Sequence, residues 1–239
     1  MEWNDHERFK NRIVLRGKIR FETQVHVGSG ESPVLGTENA VLKLRDGRPY
    51  IPASSIKGVL RSEVEKVARA RGLVVCDPLK PKASPSCHNP TNINEPCIVC
   101  GIFGSQKVAG HLIVQDALPT HPTVNLNFQP HVGIDRKSGV QHERAFYSFE
   151  TVSSEALFDF EVIIENIGRD DERMGLLKYV FYEMKEGFIQ LGGKKSTGLG
   201  MFRLVDCQVS ERTHQKYTEM KTETLDAFLG DNYREKMSR

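Results

Sequence analysis

The stretch Ile13-Val14-Leu15-Arg16-Gly17-Lys18-Ile19-Arg20-Phe21-Glu22-Thr23-Gln24-Val25-His26-Val27 decides the fold. Its odd positions read Ile, Leu, Gly, Ile, Phe, Thr, Val and Val, while its even positions are mostly polar. Side chains of a strand point alternately to opposite faces, so this period predicts a long strand with one buried face. A loop follows, Gly28-Ser29-Gly30-Glu31-Ser32-Pro33. Residues 40–44 and 48–51 then flank Asp46-Gly47, a pair that favours a tight hairpin turn, and Pro52 closes the hairpin.

Working outward, Ser54 or Ser55 can N-cap a helix whose stripe is Ile56, Val59, Leu60, Val64, Val67 and Ala68, with Gly72 ending it. Lys57 and Arg61 lie one turn apart near its start, against the helix dipole, which suggests a nearby anion or a solvated charged face. Residues 111–117 read as a second core strand. Residues 119–148 are poor in core side chains and rich in His, Arg and Gly, and predict a protruding segment. Ala156, Phe158, Phe160, Val162 and Ile164 alternate as a third strand. Asp170 or Asp171 caps a second helix, with Leu177, Val180, Phe181, Met184 and Phe188 on one face. Residues 200–209 form a final strand. Beyond Ser210 the chain is polar, with a weak helical stripe of Met220, Leu225, Phe228 and Leu229.

The order strand, helix, strand, strand, helix, strand is that of an α+β, ferredoxin-like fold, shared with the RNA-recognition motif. The aromatic signature of that motif is missing, so base stacking on the sheet face is not expected. We expect one domain over residues 1–210, with insertions at about 76–105 and 119–150. Residues 211–239 form a polar, partly helical tail.

Between the second helix and the last strand stands Leu191-Gly192-Gly193-Lys194-Lys195-Ser196-Thr197-Gly198-Leu199-Gly200. Glycines bring backbone N–H groups close to a ligand, and paired lysines attract anions, so phosphate is the natural target. A helix C-cap leading into a turn is the alternative. The stretch is neither a P-loop nor Gly-x-Gly-x-x-Gly.

The 239 residues carry a net charge of +2 and 38% hydrophobic side chains, enough for a sizeable core but too balanced to name a partner by charge. No run reaches the length of a bilayer span and residues 1–10 are polar, so a cytoplasmic protein without a membrane role is expected. Five cysteines in a reducing compartment point to metal before disulfides. Cys76, Cys87, Cys97 and Cys100, spaced C-x10-C-x9-C-x2-C, suit one structural zinc, with His88 as the substitute ligand. Cys207 reads as core.

Several motifs occur together: His26-Val27-Gly28-Ser29-Gly30, Ile51-Pro52-Ala53-Ser54-Ser55-Ile56-Lys57-Gly58 and Ile134-Asp135-Arg136-Lys137-Ser138-Gly139. Cys100-Gly101-Ile102-Phe103-Gly104-Ser105, Gln115-Asp116-Ala117 and the glycine-rich stretch belong to the same pattern. The set resembles the RAMP superfamily, and within it the repeating backbone subunit of type III CRISPR effector complexes, from about residue 14 to 209.

The resemblance implies a palm, a thumb-like protrusion, and copies or paralogues packed along a guide CRISPR RNA beside other effector subunits. Ser54, Ser55 and Lys57, with Arg61 one turn on, match the helix start that touches guide phosphates. Gly192, Gly193, Lys194, Lys195, Ser196 and Gly198 match the glycine-rich loop. Arg136 and Lys137 lie in the segment leading into the thumb, which wedges between guide and target RNA. Relatives cut target RNA with a divalent metal, Mg or Mn, through an aspartate after the first strand. They continue Gly-Gly-Ser-Asp where this chain has Gly28-Ser29-Gly30-Glu31, so Glu31 takes that position with one methylene more. Two other readings stay open: a guide-processing endoribonuclease, although the first helix carries no His or Tyr, and a zinc-stapled protein-interaction module.

Overall fold

The computed structural model describes residues 6–28, 39–77, 87 and 96–230, and the side chains of 142–146 are left aside. The alternating stretch forms β1, Asn11–Phe21, with Ile13, Leu15, Ile19 and Phe21 buried. The chain continues past it with bridges from Val25 to Val152 and from Gly28 to Val41. The expected hairpin is present as a short pairing, Lys43 opposite Pro49, closed by Gly47 N–H donating to Leu44 O at 3.0 Å.

Helix α1, Ala53–Ala70, buries Ile56, Leu60, Val64 and Ala68 in one stripe. Each fully buried Ile, Leu or Val of that stripe contributes about 1.5–3 kcal/mol. Its cap differs from expectation. Pro52 is the N-cap and offers no side-chain acceptor, while Ser54 and Ser55 sit inside the first turn. The acceptor comes from far along the chain: Ala53 N–H donates to Asp116 Oδ1 at 2.7 Å.

The short helix α2, Ile98–Phe103, leads to β2, Leu112–Val114. The segment expected to protrude is a regular hairpin, β3, Leu126–Ile134, paired with β4, Gln141–Val152. Strand β5, Leu157–Glu165, helix α3, Glu172–Glu186, and strand β6, Phe202–Thr213, follow. Asp171 caps α3 by accepting from Arg173 N–H. Phe188 falls outside the expected apolar face and is 69% exposed, because Gly187 at φ +83° has already ended the helix.

The expected polar tail is also different through residue 230. Lys216–Thr224 forms β7, antiparallel to β6, and Met220 lies exposed on it. Only Leu225–Leu229, helix α4, is helical, and it buries Leu225, Phe228 and Leu229. The main sheet is antiparallel in the order β2-β5-β1-β6-β7, with Ile13 opposite Ile164 on one side and Ile19 opposite Leu204 on the other. Helices α1 and α3 pack into the same core as the odd residues of β1, leaving the sheet ends at residues 24–28 and 190–201 free to shape a site. Among the described residues no helix is long and apolar enough to cross a membrane.

Candidate nucleic-acid interface and metal centre

The glycine-rich stretch folds back on the continuation of β1. Leu191 N–H donates to Gly200 O at 2.9 Å, Gly193 N–H to His26 O at 2.8 Å and Gly200 N–H to Gln24 O at 2.8 Å. These contacts leave no room for a side chain. A Cβ at Gly192 would meet His26 O, and one at Gly200 would meet Leu191 O, and both residues have positive φ (+89° and +81°). Residues Lys195–Thr197 make one 3-10 turn, held by Gln190 Nε2 donating to Lys195 O at 3.2 Å and to Leu199 O at 3.1 Å. Glycine therefore fixes the loop here rather than loosening it.

The loop faces the start of α1 across an open cleft of about 420 Å³, lined among others by His26, Gly28, Ser54, Ser55, Gly193 and Lys195. No acidic residue stands in the first turn of α1, so the positive end of the helix dipole is offset at Ala53 by Asp116 from outside. The hydroxyls of Ser54, Ser55 and Ser62, Lys195 and the Glu63–Lys66 ion pair thus border one concave surface of net positive charge, an arrangement that suits anions. Lys57, one turn before Arg61, does not line the cleft and is half-buried; burial first, and the Arg61 charge second, push its pKa below the ordinary lysine value.

The other expected contacts are distributed differently. Lys194 does not line the cleft; its Nζ lies 4.6 Å from the Phe149 ring centroid and 4.8 Å from that of Tyr147. Such cation–π contacts tie the glycine loop to the base of the β3–β4 hairpin. Ser196 and Gly198 are exposed on the loop. Arg136 and Lys137 occupy the far turn of the hairpin, where Asp135 Oδ1 accepts from Lys137 N–H at 2.8 Å and Ser138 N–H at 2.9 Å. Arg61 turns from the cleft to the cysteines: it pairs with Glu65 at 3.1 Å, and donates to Gly104 O at 3.0 Å and to Cys100 Sγ at 3.5 Å. Glu31 and His88 lie outside the described residues.

Sequence reasoning misses the aromatic wall of the hairpin. His131 stacks on Tyr147 (5.4 Å) and Phe149 (4.8 Å), and His26 meets Phe149 edge-on at 5.4 Å. Gln24 Oε1 accepts from Gln129 Nε2 at 2.8 Å and Thr151 Oγ1 at 2.9 Å, so the hairpin base is pinned beside the cleft. On the opposite face Phe128, Val132 and Ile134 are exposed. A signal exists, because alternate residues from Leu126 to Ile134 are apolar, though interrupted by Pro130.

Cys76, Cys87, Cys97 and Cys100 are all buried, with their sulfurs within 4.8 Å of one another. Cys76 Sγ lies 3.3 Å from Cys100 Sγ and 3.6 Å from Cys97 Sγ. A tetrahedral zinc with Zn–S of about 2.3 Å sets its sulfurs about 3.8 Å apart, close to these separations. Cys97 caps α2 by accepting from Cys100 N–H, and Cys97 N–H donates to Cys87 Sγ at 3.0 Å. Hydrogen bonding from Cys100 is the main cause that pulls Cys97 down to about 4, whereas burial pushes Cys76 up to about 12. The cluster is therefore positioned to bind one metal ion, compatible with structural zinc, and four sulfur ligands leave no open coordination position for substrate. Cys207 is in β6, apart from the cluster.

The family model described as the RAMP superfamily matches residues 18–203. A protein of Methanocaldococcus jannaschii named CRISPR system Cms endoribonuclease Csm3 is 27% identical over 87% of this chain and 84% of its own length. A protein of the same name from Methanothermobacter thermautotrophicus is 22% identical over 94% of this chain and 95% of its own. The family match runs from β1 into β6 and takes in every wall of the cleft and all four clustered cysteines: the chain belongs to the RAMP superfamily.

Proposed function

We propose that this protein is an RNA-binding backbone subunit of a cytoplasmic type III CRISPR effector complex. It packs beside further copies or paralogues and other effector subunits along a guide RNA, and positions target RNA. The observation that carries this reading is the convergence at one cleft of the α1 start and the glycine loop, with Lys195 at its edge. Backbone N–H groups and lysines bind phosphate by charge and shape without reading sequence, as a guide of any sequence requires. The name of the two relatives, an endoribonuclease of a CRISPR system, agrees in subject.

In this reading the palm, over residues 1–210, is ferredoxin-like. The order β2-β5-β1-β6, with α1 and α3 as crossovers, supports it. The β3–β4 hairpin is the thumb-like element, presenting Arg136 and Lys137 at its tip, while Ser54, Ser55, Lys57, Lys194, Lys195 and the loop backbone follow guide phosphates. The cysteine cluster holds structural zinc, and Arg61, bound to Cys100 and Gly104, connects it to α1. Glu31 stands at the cleavage position, where a divalent Mg or Mn ion would supply charge stabilisation for attack of a target 2′-hydroxyl on its phosphate.

The test is the salt dependence of guide binding by the full chain. Replacing Lys57, Lys194 and Lys195 together by alanine should weaken binding across unrelated RNA sequences. It should also reduce the slope of log K against log[salt] by about 2, since each phosphate neutralised on a single strand adds roughly 0.7. An unchanged affinity and slope would overturn the assignment.

A further inference from the structure

One cleft side chain remains unused by a phosphate track. His26 is only 9% exposed, yet one edge of its ring belongs to the cleft wall. Its Nδ1 lies 2.7 Å from Glu150 O. A carbonyl oxygen can only accept, so Nδ1 carries the proton and donates. The other edge of the ring faces cleft-lining glycines: a Cβ at Gly28 would stand 3.0 Å from Nε2, and one at Gly193 would stand 3.5 Å from Cδ2. Among the described residues no hydrogen-bond partner for Nε2 is found. Phe149 packs edge-on against the ring and Gly193 N–H holds the His26 carbonyl, so the ring is fixed in both direction and tautomer.

We infer that His26 reads the sugar of the bound strand: its Nε2 accepts a hydrogen bond from an RNA 2′-hydroxyl and makes the cleft prefer RNA to DNA. In the neutral ring, Nε2 presents a lone pair, which pairs only with a donor. Phosphate oxygens are acceptors and would be met by the serine hydroxyls and Lys195 that line the cleft. The donor that every ribonucleotide carries beside its phosphate, whatever its base, is the 2′-hydroxyl, and DNA lacks it. Amino groups of bases are donors too, but they change with sequence, whereas the rest of the cleft is indifferent to sequence.

This inference rests on the proposed RNA binding, and the experiment separates the two. Filter binding of the full chain would compare one RNA oligonucleotide, the DNA of the same sequence, and RNAs carrying 2′-deoxy or 2′-O-methyl groups at single positions. Wild type should favour RNA, and a 2′-deoxy group at the nucleotide read should cost about fivefold, the worth of one hydrogen bond. His26→Asn retains a donor for Glu150 O but lacks the Nε2 acceptor. It should lower RNA affinity about fivefold, leave DNA affinity unchanged, and no longer respond to that 2′-deoxy group. His26→Gln, with an amide group near the Nε2 position, should recover part of the preference, and circular dichroism melts of each variant check folding. Equal loss for RNA and DNA, an effect that follows base identity, or an additive effect of variant and 2′-deoxy group would each overturn the sugar reading. The substituted RNAs test it on wild type alone, so a misfolded variant does not block the answer. Failure of wild type to bind either nucleic acid would overturn the proposed function itself.

Discussion

Asp116→Ala should make the protein less stable and, at the same time, a stronger RNA binder. Asp116 lies between β2 and the chain's return to the hairpin, and its Oδ1 accepts from Ala53 N–H, the first N–H of α1, at 2.7 Å. Pro52 supplies no side-chain cap, and the first turn has no acidic residue, so this carboxylate alone performs both capping roles among the described residues. Loss of a cap acceptor costs about 1 kcal/mol. Loss of a charge at the positive end of the helix dipole adds about 0.5 kcal/mol at an exposed site. For a chain of this size about 1.5 kcal/mol lowers Tm by roughly 3–6 °C. Asp116→Asn keeps the acceptor and loses only the charge, and should lower Tm by about 1–2 °C. Binding should move the other way: alanine frees Ala53 N–H and removes a like charge from the phosphate track, so RNA affinity at low salt should rise in both variants. Calorimetric melts and filter binding on the same preparations measure both. Identical melting of Asp116→Ala and wild type, or weaker RNA binding by a folded Asp116→Ala protein, would refute this account of the helix start.

Elemental analysis should find about one zinc per chain, as four-ligand structural sites require. Since such a metal contributes on the order of 10 kcal/mol, its removal or Cys97→Ser should expose residues 96–103 to protease, whereas a fully folded metal-free chain would refute the site. Gly200→Ala should cost about 1–3 kcal/mol or more, because it combines a positive φ with a collision at Leu191 O. Gly198→Ala, strained in φ but open in space, should cost less in chemical denaturation, and equal costs would mean that the collision is relieved. Glu31→Gln should abolish divalent-metal-dependent cutting of a guide-matched target while leaving RNA binding intact, and Glu31→Asp should cut at least as well as wild type. Equal cutting by wild type and Glu31→Gln would move the chemistry elsewhere.

What is legible in the sequence is what periodic burial writes there. Ile13 to Phe21, Ile56 to Ala68 and Phe158 to Ile164 each bury one face of a regular element, and each stands where its period places it. Strand β7 reads as tail because its residues are exposed on both faces, so only pairing with β6 makes it a strand. The β3–β4 hairpin escapes for a related reason: its apolar residues Phe128, Val132 and Ile134 are exposed, and the ladder to β4 supplies its order. The cleft is half legible. Gly192, Gly193, Lys195, Ser54 and Ser55 stand out in local motifs, and the fold brings them together. The Asp116 cap, the ring contacts of Lys194 and the orientation of His26 join residues distant in sequence, and no local pattern encodes such pairs. Arg61 departs from expectation because a cation on a helix is attracted equally by a phosphate and by Glu65 with the Cys100 sulfur, and only packing decides between them.

The three walls of the cleft also set a schedule for the protein's birth. The ribosome releases His26 and the start of α1 early, but Gly192 to Lys195 emerge only near the end, after the hairpin, β5 and α3. At about 5–20 residues per second, the first two walls wait on the order of ten seconds for the third. During that interval β1 lacks β6, the neighbour on one of its edges, and Gly193 N–H is not yet present to hold the His26 carbonyl. Under the proposed function, the groove that would hold RNA is therefore complete only in a finished subunit.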